Sequence, residues 1–219
     1  MKVVSVNVSL PIEIEHKGKL VKTGIFKKPI NGPVSVLKEN LAGDSQADFV
    51  NHGGKDKAVY AYSYENYVHW QEVLGREQMA SGQFGENLTV SGLDESIVYV
   101  GDHLRFGDSL MVVTQPRVPC YKLGIRFDNS EMPRLFSESA RTGFYMRVLD
   151  EGTVEAGDRI DIVRRTDGAI LVKELFKALF RPRTKESDRT LRQALKVPEL
   201  SAEWQQKIER RLEHGGLVM

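Results

Sequence analysis

Short runs of alternating apolar and polar residues fill roughly the first 165 positions, and this pattern constrains the fold more than any other feature. In residues 3–10, Val4, Val6, Val8 and Leu10 fall on one side of an extended chain. Comparable runs follow at 34–37, 57–62, 87–91, 96–100, 103–106 and 109–114. Many short strands separated by regular turns predict a closed or nearly closed β-barrel, within a mainly β fold of the α+β class.

Glycine followed by aspartate marks the predicted turns between these strands, at residues 43–44, 101–102, 107–108 and 157–158. The pairs at 101 and 157 each precede a short apolar run. This is the arrangement expected where the chain changes direction between two strands of a barrel.

Two helices are predicted among these strands. Residues 64–74 follow Ser63, a good N-cap, and precede Gly75, which is suited to end a helix in the left-handed conformation. A shorter helix is predicted at 134–140, after Pro133. We expect the aromatic residues of the longer helix to anchor it in the core: Tyr64, Tyr67 and Trp70.

The periodicity becomes helical beyond residues 164–168. The spacing of apolar residues predicts three short amphipathic helices, the third of them capped by Ser201. We therefore expect a β-barrel domain at 1–165 and a small three-helix module at 166–219, with a few peripheral helices around the barrel.

Charge and cysteine content exclude several classes of protein. A net charge of +1 argues against a general nucleic-acid or membrane-surface binder. The one cysteine excludes an internal disulfide framework and suits a reducing compartment. The first residues lack the apolar block of a signal peptide, and no apolar run approaches the ~20 residues of a membrane span. We expect a cytoplasmic protein.

That cysteine, Cys120, lies in a stiff segment. Pro116 and Pro119 restrict the backbone before it, and Arg117 and Lys122 flank it with positive charge. Nearby cations favour a thiolate, which is a nucleophile and a soft metal ligand. The alternative is a buried cysteine that packs as a small apolar side chain.

Three further polar segments could form a site. His52 is followed by Gly53 and Gly54, whose backbone could bind an anion or could simply form a hairpin turn. Residues 81–88 contain glycines followed by Glu86 and Asn87, and could form part of a site on a loop or another turn in which Asn87 caps backbone groups. Arg147, inside an apolar strand, either reaches solvent at a strand end or points inward at an anion.

Several common sites have no counterpart in the sequence. There is no paired-cysteine zinc motif, no His-x-x-x-His spacing, no Walker A or dinucleotide-binding glycine pattern, and no Gly-x-Ser-x-Gly.

Taken together and in order, a set of motifs resembles the MOSC domain, named for the C-terminal part of molybdenum cofactor sulfurase. The resemblance covers essentially the whole chain and is closest to the YiiM-like branch, in which three helices follow the barrel. The motifs are 52–59 (HGGKDKAV), 84–88 (FGENL), 100–102 (VGD), 115–123 (QPRVPCYKL), 143–148 (GFYMRV) and 152–158.

The resemblance implies a groove that binds molybdenum cofactor, a pterin dithiolene with a terminal phosphate, with Cys120 as the metal ligand and catalytic residue. It also implies reduction of N-hydroxylated bases and related compounds, with electrons from a separate reductase. The residues that it suggests for contacts with the cofactor are His52, Gly53, Gly54, Lys57, Gly85, Glu86, Asn87, Arg117, Lys122, Arg147, Lys27 and Lys28. For Lys27 and Lys28, a solvated basic turn is an equal alternative.

Two other functions stay open at this point. The same groove could hold the cofactor, or sulfur carried on Cys120, and pass it to another protein without catalysis. The C-terminal helices could instead dock a partner, for which the near-neutral charge makes nucleic acid the weakest choice. We expect a small-molecule substrate, no nucleic acid and no membrane, and the sequence allows a homodimer.

Overall fold

The structure is a computed structural model that describes residues 1–46 and 53–214. Its strands are β1 Lys2–Val8, β2 Ile12–His16, β3 Lys19–Thr23, β4 Lys28–Ile30, β5 Val34–Val36, β6 Val59–Ser63, β7 Leu88–Ser91, β8 Tyr99–Phe106, β9 Ser109–Pro116, β10 Phe144–Asp150, β11 Gly152–Val154 and β12 Ile160–Leu171. Its helices are α1 Tyr64–Leu74, α2 Tyr121–Phe127, α3 Met132–Ser139, α4 Val172–Phe180, α5 Lys185–Ala194 and α6 Ala202–His214, with a short 3₁₀ helix at Lys55–Lys57.

The centre of the fold is an eight-stranded sheet in the order β12-β8-β9-β10-β6-β7-β1-β4. Neighbouring strands are antiparallel except β6 and β7, which are parallel. The predicted fold class is confirmed, but among the described residues no continuous ladder closes the sheet into a barrel. An isolated bridge joins Lys2 of β1 to Arg159, just before β12, next to the hydrogen bond from Val3 N to Asp158 O at 2.8 Å.

One predicted turn is wrong. Gly101 and Asp102 lie within β8, where Gly101 has φ of +96° and the pairing with β12 is irregular. The sequence pattern predicts separate strands at 96–100 and 103–106, but the glycine between them belongs to an irregularity within one strand. By contrast, Gly107 has φ of +53° and does join β8 to β9.

Helix α1 has the predicted ends. The Ser63 hydroxyl accepts a hydrogen bond from Glu65 N at 3.3 Å, and Gly75 takes φ of +61°. Tyr67 and Trp70 are buried as predicted, whereas Tyr64 is 47% exposed. The first turn of the helix thus turns one of its aromatic residues away from the core.

Three helices follow the sheet at the C-terminal end, as predicted. Leu175 of α4 and Trp204 of α6 belong to the same buried cluster as Val100 and Val113 of the sheet. The helices and the sheet therefore share one core. The predicted boundary between 165 and 166 falls inside β12 and stays a prediction. No helix in the described ranges is long and apolar enough to cross a membrane.

Candidate functional site

An open cavity of about 730 Å³, part of it in contact with solvent, gathers side chains from several of the predicted motifs. Its walls come from the segment after β3, residues 44–46, the start of β6, the loop before β7, and the segment between β9 and α2. The lining residues are Thr23, Gly24, Ile25, Lys27, Asp44, Ser45, Gln46, Lys57, Ala58, Tyr60, Gly85, Asn87, Arg117, Val118, Cys120, Lys122 and Tyr145.

Cys120 lies at the edge of this cavity and is half-buried. It is the N-cap residue of α2, and its carbonyl accepts a hydrogen bond from Leu123 N at 2.9 Å. The sequence predicted a stiff segment here but not α2. A helix that begins directly after Cys120 fixes the backbone from which the thiol projects.

Arg117 forms part of the cavity floor beside the cysteine. It is 6% exposed, and its guanidinium lies over the rings of Tyr60 at 4.8 Å and Phe136 at 5.3 Å. It also donates a hydrogen bond to Tyr60 Oη at 3.3 Å. Cation–π contacts of this kind hold a buried guanidinium in one orientation, with its charge retained.

Tyr60 completes this part of the floor. Its hydroxyl donates to the carbonyl of Thr142 at 2.9 Å. Burial raises the pKa of Tyr60 well above its usual range, although the charge of Arg117 opposes the shift. The hydroxyl therefore stays protonated and acts as a fixed donor and acceptor.

A buried ion pair joins Lys27 to Asp44, both of which line the cavity. The carboxylate of Asp44 also accepts hydrogen bonds from Ser9 N at 2.9 Å and from Asn87 Nδ2 at 2.8 Å. Burial lowers the pKa of Lys27, and Asp44 opposes that shift. Neither partner can turn away without leaving a buried charge alone.

Asn87 connects this ion pair to the sheet. The side-chain oxygen of Asn87 accepts a hydrogen bond from the backbone N of Tyr60 at 3.1 Å. The backbone N of Asn87 donates to the backbone O of Tyr60 at 2.8 Å. We refer to Lys27, Asp44 and Asn87 below as the inner wall. The inner wall is polar and buried, and Asn87 fixes it to strand β6.

Hydrogen bonds to the side chain of Glu86 hold the loop before β7 in place. This carboxylate is fully buried and accepts hydrogen bonds from Gly82 N at 2.8 Å, Phe84 N at 3.1 Å and Thr89 Oγ1 at 2.7 Å. Burial raises the pKa of Glu86, while these donors act against the shift. Its contacts fix the loop, and it is absent from the cavity lining.

Gly85 brings bare backbone to the cavity. It has φ of +77°, and a Cβ atom there would lie 2.8 Å from Ile25 Cγ1. Gly24, opposite, would place a Cβ atom 2.9 Å from Ser45 O. Both glycines therefore let neighbouring chain segments of the cavity wall pack more closely than a side chain would allow.

Two lysines bring further positive charge. Lys57 forms an ion pair with Glu203 of α6 at 2.5 Å, so that the C-terminal helices contact the cavity wall. Lys122, next to the cysteine, donates from Nζ to Lys22 O at 3.1 Å.

Other predicted residues lie away from this cavity. Lys28 is exposed on β4. Arg147 forms an ion pair with Asp56 at 2.6 Å and is absent from the lining. Gly53 and Gly54 line a neighbouring groove. His52 lies outside the described residues.

Several lining residues escaped the sequence analysis. Gln46 donates to Lys57 O at 3.0 Å and accepts from Gly54 N at 3.0 Å, which holds the 53–57 segment. Tyr145 lies beside Tyr60, with ring centroids 5.1 Å apart. Asp44 stands out in the sequence only as part of the Gly-Asp pair at 43–44, and such a pair indicates a turn and not a ligand contact.

Within residues 1–46 and 53–214, no group of three or more His, Cys, Asp or Glu side chains is placed to hold a metal ion. Cys120 is the cavity residue best suited to contact a soft metal.

Comparison with known proteins gives two family matches along the chain. The MOSC domain matches residues 48–161, and the YiiM-like, 3-alpha helix domain matches residues 172–215. Uncharacterized protein YflK of Bacillus subtilis is 44% identical over 171 residues, which cover 78% of this chain and 77% of that protein.

A solved structure and a longer relative extend the comparison. The crystal structure of YiiM from Geobacillus stearothermophilus has a TM-score of 0.80 and 34% identity, and the match covers 96% of this chain and 98% of that one. A protein of Gibberella moniliformis named reductase is 33% identical over 154 residues, 68% of this chain but 27% of that protein.

Proposed function

The chain belongs to the MOSC domain family, in its YiiM-like branch, and from this premise we propose that it is a molybdenum-cofactor-dependent oxidoreductase. In this proposal the Cys120 cavity binds the cofactor, and Cys120 is the metal ligand and catalytic residue. The substrate is an N-hydroxylated base or a related N-hydroxylated compound. The observation that carries the proposal is the convergence of Cys120 and four cations on one cavity.

The lining fits a pterin that carries a phosphate and a metal. Among the described lining residues, Lys27, Lys57, Arg117 and Lys122 are cationic and Asp44 is the one carboxylate. Gly24 and Gly85 line the cavity without side chains. Cationic side chains and bare backbone suit the phosphate and the ring edges of such a cofactor.

The proposed roles of the cavity residues follow from their positions in its lining. The Cys120 thiolate would bind the metal, while Arg117 beside it holds positive charge close to the reacting centre. Asn87 offers amide groups to the pterin edge, and Lys27 and Lys57 attract the phosphate. The cofactor would supply a metal that changes oxidation state and accepts an oxygen atom from the substrate.

Reduction needs electrons from elsewhere. One cysteine cannot provide the four thiolates of a common iron–sulfur cluster, so we assign the electron donor to a separate reductase. The relative named reductase supports a role in reduction, although this chain spans 27% of that protein.

The first test is the molybdenum and pterin content of protein purified anaerobically from cells that make the cofactor. We expect stoichiometric molybdenum and pterin in the wild type, and loss of molybdenum in Cys120→Ala. Ser130→Ala, an equally small change at an exposed position, is the control and should retain both. A wild type without metal or pterin would contradict the proposal.

A second test separates an enzyme from a cofactor carrier. The cofactor-loaded protein is supplied with a flavoprotein reductase and with N-hydroxylated adenine, and formation of adenine is followed. Turnover that is lost in Cys120→Ala supports the enzyme. Bound cofactor without reduction of any N-hydroxylated compound would identify a carrier instead.

A further inference from the structure

A second groove lies next to the Cys120 cavity, between the 3₁₀ helix Lys55–Lys57 and the beginning of α6. Lys57 lines both spaces. Gln115 of β9 lines the groove, and its cross-strand partner Tyr145 of β10 lines the cavity. A ligand in the groove therefore lies directly beside the space that contains Cys120.

Both walls of the groove are fixed to the same residue of β9. Thr114 Oγ1 donates to Asp56 O at 2.6 Å, and Ser201 N donates to Thr114 O at 3.3 Å. Arg147 holds the side chain of Asp56 at 2.6 Å. The groove is thus formed before any ligand binds, which lowers the entropic cost of binding.

Gln115 is the unexplained group in this groove. It is 2% exposed, and its Oε1 has no hydrogen-bond partner in the described part of the chain. A buried amide oxygen without a donor costs free energy, and such groups are rare in folded proteins. An N–H donor supplied by a ligand would remove this cost.

Glu203 provides a second acceptor across the groove. Its side chain is 40% exposed and is held by Lys57 at 2.5 Å and by Lys207 at 2.7 Å. Although partial burial acts to raise it, the pKa of Glu203 is lowered by hydrogen bonds to these two lysines. The carboxylate is therefore ionised at neutral pH and accepts hydrogen bonds.

We propose that this groove binds the amino-substituted nitrogen heterocycle of the substrate, and that Gln115 Oε1 and the Glu203 carboxylate accept its N–H groups. Two acceptors in one preformed groove favour a ligand with several N–H donors. The choice of a heterocycle rests on the proposed function, but the demand for N–H donors rests on the groove itself. Gln115 is then a specificity-determining residue.

Direct binding to cofactor-free protein tests this subsite without any turnover. The dissociation constants of adenine and of purine, which lacks the exocyclic amine, are measured by calorimetry for the wild type, Gln115→Met and Gln115→Glu. Methionine keeps the size of glutamine without its acceptor, whereas glutamate keeps acceptor oxygens. Gln193→Met on α5 is the matched control at an exposed position.

We expect the wild type to bind adenine about tenfold more tightly than purine, which corresponds to one good hydrogen bond. Gln115→Met should remove this preference, while Gln115→Glu and Gln193→Met should keep it. Equal binding of adenine and purine by the wild type would overturn the inference, whether or not the variants fold. So would an unchanged preference in folded Gln115→Met.

The same titration with AMP tests whether the ligand that donates these N–H groups is a nucleotide or a free base. Lys55 and Lys207 also line the groove, so tighter binding of AMP than of adenine would indicate a nucleotide, and the reverse a free base. If adenine binds as expected but loaded protein reduces nothing, the proposed function fails and the subsite stands. If reduction proceeds but adenine binding is independent of Gln115, the subsite fails alone.

Discussion

Two of the buried carboxylates lie in different regions of the fold and are stabilised in opposite ways. Asp44, on the inner wall of the cavity, is paired with the cation of Lys27. Glu95, between β7 and β8, accepts from Asn66 Nδ2 at 3.1 Å and from Gly143 N at 3.1 Å, both neutral donors. Burial raises the pKa of Glu95 to about 6.

The difference between Asp44 and Glu95 shows which region of the fold pairs a buried carboxylate with a cation. On the inner wall, Asp44 gives Lys27 a counter-charge, which opposes the lowering of the Lys27 pKa by burial. Among the described residues, Glu95 has neutral donors and no cation as partner, and burial favours its protonated form. The predictions below alter one side of this contrast at a time.

The largest effect should come from Asp44→Ala, which leaves Lys27 buried without its partner. Removing one member of a buried ion pair costs about 3–5 kcal/mol, and we expect a decrease of that size in the free energy of unfolding in urea. Asp167→Ala, at an exposed position, is the control and should change stability by less than about 0.5 kcal/mol. A loss below about 1 kcal/mol for Asp44→Ala would mean that the inner wall does not depend on the pair.

Gly85→Ala tests how tightly the loop before β7 packs against Ile25, beside the inner wall. Alanine at φ of +77° is strained, and its Cβ atom would approach Ile25 Cγ1. Gly32 has φ of +80° with no atom within 4 Å of where a Cβ atom would lie, so Gly32→Ala measures the backbone strain alone. We expect Gly85→Ala to lose about 1–3 kcal/mol more than Gly32→Ala in urea unfolding. Equal losses would show that Ile25 moves aside freely.

The raised pKa of Glu95 predicts that the stability of the fold depends on pH. Its folded pKa of about 6 lies above the ordinary value of 4.5, so the folded state binds the proton more tightly than the unfolded chain does. Its contribution to stability is therefore complete below about pH 4.5 and is lost as the pH rises through 6. A difference of this size between the two pKa values corresponds to about 2 kcal/mol.

Urea unfolding of the wild type and Glu95→Gln from about pH 4.5 to about pH 7.5 measures this contribution. The stability of the wild type relative to the variant should rise by about 2 kcal/mol as the pH falls across that range. A constant difference would mean that Glu95 keeps an ordinary pKa in the fold, and the contrast with Asp44 would disappear.

The smallest change in stability is expected at the edge of the cavity. Lys122→Met keeps most of the length of a half-buried side chain and should alter the free energy of unfolding by less than about 0.5 kcal/mol. It should nevertheless lower the molybdenum and pterin content of purified protein, because a cation beside Cys120 is lost. Lys196→Met, at an exposed position outside the cavity, should leave that content unchanged.

Much of the fold could be predicted because its signals are local. Ser63 and Gly75 bound α1 through their own backbone preferences, and Gly107 makes a turn for the same reason. The prediction at Gly101 failed because a glycine with positive φ serves a turn and a bulge equally well. Only the partner strand β12 distinguishes the two.

The structure brings several of the predicted site residues together. Lys27, Lys57, Asn87 and Cys120 line one cavity, and their contacts with a cofactor stay a prediction. Asp44 could not be identified, because its contact with Asn87 joins residues 43 positions apart. Arg147 was predicted to contact the cofactor, but the structure places it in an ion pair with Asp56.

The sequence by itself determined the caps of α1, many of the turns, the stiff approach to Cys120 and the membership of the chain in its family, because these depend on neighbouring residues or on motifs in order. Only the tertiary structure decided which charges are paired and which polar groups meet. The register between β9 and β10 puts Tyr145 opposite Gln115, and the packing of α6 brings Glu203 to Lys57. Such contacts depend on strand pairing and helix packing across long stretches of chain, which no local pattern encodes.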